Sequence, residues 1–150
     1  MWKRKAVAGL VLAGGMVLAQ TAGAQAAPAQ HPLEGTDPLT TGCNVGAYVV
    51  KAWDIFNVVY GEVQGLAQLV YSPSCGTNWV NVYGFTAGNN YSVVISNNYN
   101  GGGFDASAGG GGSAATLQTY APGDTCVTVD WSVQDIATGN GEGSGRSLIC

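Results

Sequence analysis

Four cysteines, Cys43, Cys75, Cys126 and Cys150, limit what this chain can become more than any other residues. Their spacings of 32, 51 and 24 residues hold no Cys-x-x-Cys pair, so a compact zinc site has no starting point and no metal is expected. An even set of widely separated cysteines reads instead as two disulfides, which persist in an oxidising compartment.

The amino terminus agrees with that compartment. Lys3, Arg4 and Lys5 precede an uncharged apolar run from Ala6 to Ala19 and a small-residue stretch from Ala22 to Ala27. This is the pattern of a secretory signal peptide over residues 1–26, with cleavage after Ala24 or Ala26. A membrane anchor needs roughly 20 apolar residues, more than this run supplies, so the mature protein is expected to be secreted, with no membrane span. Cleavage leaves Lys51 and Arg146 against nine Asp and Glu, a net charge of −7. Binding to phosphate backbones works through several Lys and Arg, so nucleic acid and anionic membrane surfaces are not expected partners. About 125 mature residues suffice for one domain, placed at residues 43–150. Residues 27–42 read as an extended or disordered linker, because Pro28, Pro32 and Pro38 resist helix and sheet. His31, the only histidine, is expected to be solvated within it.

The body reads as β-structure. Val127, Val129, Trp131 and Val133 alternate with Thr128, Asp130, Ser132 and Gln134, the period-two signature of a strand with one buried and one wet face. Tyr91, Val93 and Ile95 repeat the pattern less strictly, and further strands are expected at residues 48–56, 65–71, 79–85, 115–120 and 147–150. About seven short strands without a helix predict an all-β domain, a small antiparallel sandwich or barrel. Seven glycines among the twelve residues from Gly101 to Gly112 suggest a mobile segment, since an unusually free backbone loses much entropy when ordered.

Cysteine pairing follows from symmetry about turns. If residues 48–56 and 65–71 form a hairpin turning near Tyr60-Gly61, Cys43 and Cys75 lie at its two open ends, nearly equidistant from the turn. That predicts Cys43–Cys75 and leaves Cys126–Cys150, which flanks a turn at residues 138–145 containing the hairpin signal Asn140-Gly141.

Chemistry is sparse. A serine nucleophile needs a base within reach, and the one histidine lies in the linker; a cysteine nucleophile needs a thiolate, which bridged cysteines lack. No cofactor motif is present: the glycine-rich stretch lacks the lysine of a phosphate loop, and Asp105 alone does not make a calcium site. Carboxylates remain, at Asp54, Glu62, Asp124, Asp130 and Asp135. Glycan hydrolysis would need two of them facing one cleft about 5–10 Å apart, although solvated turns and a polar strand face explain each. Aromatic residues beside amides are the better binding candidates, as sugars and peptides stack on rings. Trp53, Trp79, Tyr83 and Tyr99 are singled out, with Tyr91 beside them, while Trp131 falls on the buried face of its strand.

The segments Asp37-Pro38, Thr41-Gly42-Cys43 and Leu69-Val70-Tyr71-Ser72-Pro73-Ser74-Cys75-Gly76-Thr77-Asn78-Trp79 resemble domain-of-unknown-function family 2690, the YjfA-like exported proteins of actinobacteria and bacilli. The likeness spans Asp37 to about Tyr83 and is loose beyond. It implies export, a disulfide-bonded β domain and no known enzymatic activity, and it supplies no catalytic residues. Family members carry arginines where this chain has Val70 and Asn81, so binding through those arginines does not carry over.

Together these readings predict an exported, non-catalytic β domain that binds a neutral cell-wall polymer or an exported protein, or serves structurally, at the cell surface or in the medium. The alternatives are a carboxylate-dependent cell-wall glycan hydrolase and an inhibitor of exported proteases presenting the Ser72–Cys75 corner.

Overall fold

A computed structural model describes residues 30–58, 61–98 and 102–150; the signal segment and Tyr99 lie outside them. The described residues form nine strands and no helix: β1 Tyr48–Phe56, β2 Val63–Ser72, β3 Thr77–Gly84, β4 Asn89–Asn97, β5 Gly103–Gly109, β6 Ser113–Ala115, β7 Thr119–Tyr120, β8 Val127–Asp135 and β9 Gly141–Ile149. All pairings are antiparallel. One sheet runs β1-β2-β3-β6, with β7 also on β3, and the other runs β5-β4-β8-β9.

The two sheets face each other as a sandwich because each carries its apolar residues on one side. Ala67, Leu69, Val80 and Val82 of the first sheet meet Tyr91, Val93, Ile95, Val127, Val129 and Val133 of the second in one core. The alternation in β8 behaves as predicted at Val127, Val129 and Val133. Trp131 is only partly buried, because its indole lies over Gly145, its neighbour in β9, and reaches the seam between the sheets.

Both disulfides join the predicted partners, Cys43–Cys75 and Cys126–Cys150. The β1–β2 turn is where the sequence places it: Gly61 has φ +70° and donates to the Asn57 carbonyl at 2.7 Å. The β8–β9 turn differs. Gly139 (φ +70°), rather than Asn140-Gly141, takes the left-handed position, and Asp135 organises the turn by accepting from the Thr138 N–H at 2.8 Å.

Two expectations are corrected. The glycine-rich stretch contains β5, seven residues in full register with β4 from Asn90–Gly109 to Ser96–Gly103; Phe104 and Ala106 pack on the core, which also contains Ala108, while Asp105 and Ser107 face outward. The described part of the linker does not run free. His31 stacks on Tyr120 with ring centroids 3.5 Å apart, and Thr36 bridges to Gln118. The buried Gln118 side chain accepts from Thr77 Oγ1 at 2.7 Å and donates to Thr36 Oγ1 at 2.7 Å and Thr41 Oγ1 at 3.0 Å. Glu34 is buried too, accepting from Thr119 Oγ1 at 2.8 Å and from the Tyr120 N–H at 2.6 Å. Hydrogen-bonding side chains, rather than apolar ones, anchor this segment, which is why its low apolar content misleads.

Candidate functional site

The edges of the two sheets are joined along β1 and β9. Near Phe56 the Val58 N–H donates to the Glu142 carbonyl at 2.7 Å, and Gly143 lacks the Cβ that would strike the Phe56 carbonyl. Next along the seam, Trp53 of β1 stacks on Trp131 of β8, with ring centroids 5.1 Å apart and planes 27° from parallel. Both rings are partly buried and pack on the core, and both line a depression of about 510 Å³ with Asp54, Phe56, Val58 and Ser144. A neighbouring depression of about 490 Å³ shares Trp131 and Ser144 and adds Ser92, Asp130, Ser132 and Arg146. The tryptophan pair therefore sits between an exposed apolar strip, with Phe56 48% and Val58 72% exposed, and a hydroxyl-rich sheet face.

That face has regular geometry. Ser107, Ser92, Ser132 and Ser144 are register partners across β5, β4, β8 and β9, so their side chains share one side of the sheet at the inter-strand spacing of about 4.8 Å. In the adjoining row Arg146 holds both oxygens of Asp130, Nε to Oδ1 at 2.5 Å and Nη2 to Oδ2 at 3.2 Å. This pairing raises the Arg146 pKa above its ordinary value, first through the hydrogen bond and then through the opposite charge. Asp130 is thus engaged, while Asp54 lines the adjacent depression. Asp135 is held below the ordinary carboxylate range by the Thr138 N–H and hydroxyl, a turn device that lines neither depression.

Among the described aromatic candidates, Trp53 alone joins this surface. Trp79 is 5% exposed, and it lines a separate small cavity with Pro38, Leu39 and Leu117. Tyr91 is fully buried, with its hydroxyl accepting from the Thr86 N–H at 3.1 Å. Tyr83 is partly buried on β3, opposite Leu66 and Ser113. Sequence reasoning treated Trp131 as core alone and missed its stacking on Trp53. Its register partner in β9 is a glycine, and that signal appears only once the strands are paired.

The Ser72–Cys75 corner is a tight turn, closed by the Gly76 N–H on the Ser72 carbonyl at 2.8 Å with Gly76 at φ +64°. Among the described residues no three His, Cys, Asp or Glu are grouped to hold a metal, and no helix is long and apolar enough to cross a membrane. No family model matches the chain, and no curated protein or solved structure matches it.

Proposed function

We propose that this chain is an exported binding domain, related to family 2690 through the segments around Cys43 and Cys75, that acts at the cell surface or in the medium without turning over a substrate. Its ligand is a neutral cell-wall polymer, with an exported protein as the second class of partner. The stacked Trp53–Trp131 pair carries the reading: a seam of aromatic rings flanked by serine hydroxyls offers apolar ring faces beside hydrogen-bonding groups, the combination that sugars require. Asp130, clamped by Arg146, is poorly placed to act as base or nucleophile in a two-carboxylate hydrolase. The tight Ser72–Gly76 turn likewise offers no extended segment to a protease cleft.

The test is co-sedimentation of the mature protein with purified peptidoglycan. Trp53→Ala should weaken binding by about 1–4 kcal/mol with the fold intact, and Asp54→Asn should leave it unchanged. Undiminished binding by a folded Trp53→Ala protein, or glycan hydrolysis abolished by Asp54→Asn, would overturn the proposal.

A further inference from the structure

Away from the Phe56 end, the sandwich holds a second cavity of about 190 Å³ between the sheets. Leu69 and Val127, at 1% and 2% exposure, are core residues that reach its lining. Tyr48 and Tyr71 also line it, packed edge to face with centroids 5.9 Å apart. Asn78 and Thr125 complete its polar lining. Tyr71 and Asn78 belong to the segment that carries the family resemblance, and neither is needed for the Trp53–Trp131 surface.

Asn78 is the informative residue. It is 94% buried, and its Nδ2 donates to the Ala121 carbonyl at 3.1 Å, which fixes the amide. Its Oδ1 accepts no hydrogen bond from a described residue. No fully buried side-chain nitrogen or oxygen among the described residues lacks a partner, so this oxygen is accessible, on a residue that lines the cavity. An acceptor fixed this way, in a lining of mixed polar and apolar groups, can take a ligand's hydroxyl. The Thr125 and Tyr71 hydroxyls also have no protein partner among the described residues. None of the lining side chains is a carboxylate or a cation.

From these features we infer a binding site for a single neutral polyol ring, a monosaccharide or the terminal sugar of a glycan. Its hydroxyls would bond Asn78 Oδ1 and Thr125 while its C–H face lies on the rings of Tyr48 and Tyr71. The volume is below the roughly 300–1,000 Å³ of sites for drug-sized ligands and suits one ring rather than a polymer. So small a ligand implies a dissociation constant on the order of 1–10 mM.

The experiment is an amide chemical-shift titration of the isotopically labelled mature protein with glucose, galactose, N-acetylglucosamine and inositol, and with benzyl alcohol as apolar probe. The expected result is saturable shifts for at least one polyol at the Asn78 side-chain amide, Tyr71 and Val127. Affinity should fall at least tenfold in Asn78→Leu and at least threefold in Thr125→Val, and stay within twofold in Trp53→Ala. If Asn78→Leu does not fold, Thr125→Val decides. No saturation by any polyol, tighter saturation by benzyl alcohol, unchanged affinity in Thr125→Val, or loss of affinity in Trp53→Ala would each overturn the inference. The peptidoglycan assay with Trp53→Ala is read separately, so either site can fail alone.

Discussion

The ring of Tyr91 occupies the space into which Gly84 would project a side chain. A Cβ on Gly84 would collide with the Cδ2–Cε2 edge of the ring and lie 2.8 Å from the Gly109 carbonyl, and a Cβ on Gly65, its register partner, would lie 2.9 Å from Cδ1 and Cε1. Two facing glycines in the first sheet thus form the socket for the largest fully buried side chain of the second. Gly84→Ala should lower stability by about 2–3 kcal/mol through overpacking. Gly109→Ala, where a Cβ meets nothing within 4 Å, should stay within about 0.5 kcal/mol. Urea unfolding of the two variants measures the difference, and equal effects would contradict the socket.

Glu34 joins the amino-terminal segment to β7. Replacing it with Ala leaves the Tyr120 N–H and Thr119 hydroxyl without their acceptor, a loss of about 1–3 kcal/mol. A neutral result in thermal or urea unfolding would mean that the segment contributes nothing, as a solvated linker would.

The two disulfides should differ in reactivity. Cys43 is fully buried, whereas Cys150 is exposed and Cys126 partly so. Under limiting reductant followed by alkylation and peptide mapping, label should appear first at Cys126 and Cys150. Losing either bridge by Cys→Ala pairs should cost about 2–4 kcal/mol. Label appearing first at Cys43 would show that the amino-terminal segment opens before the second bridge does.

Asp135 predicts an acid limb. Its folded pKa lies below the ordinary aspartate value because the Thr138 N–H and hydroxyl donate to the charged form. A depressed carboxylate contributes stability above its unfolded pKa, and that contribution disappears as pH falls through the folded value. The Thr138 amide resonance should therefore titrate with a midpoint below that of an ordinary aspartate, and the titration should vanish in Asp135→Asn. A midpoint at or above the ordinary value would refute the turn geometry.

The Asp130–Arg146 pair lies on an exposed face, where ion pairs add little. Asp130→Asn should leave the unfolding midpoint unchanged, while Trp131→Ala, which removes both the stack on Trp53 and core contact, should lower it clearly. Equal shifts in denaturant melts would show that the pair matters beyond its surface setting.

Short-range pattern by itself determined the β class, the alternation of Val127, Val129 and Val133, the turn at Gly61 and both cysteine pairings. Each depends on residue period or on distance from a turn, which are properties of neighbouring residues. Even the missed strand β5 left a trace, since Phe104, Ala106 and Ala108 alternate with Asp105 and Ser107 inside the glycines. Which aromatic residue is accessible was decided only by tertiary structure. Trp79 is buried and shares its cavity with Pro38 and Leu39, more than 35 residues upstream. Trp53 meets Trp131 because β1 and β9 close the seam and Gly145 leaves room for an indole, and Asn78 faces a cavity bounded by both sheets. Contacts between residues this far apart follow from sheet order and the packing of one sheet on another, which no local spacing encodes.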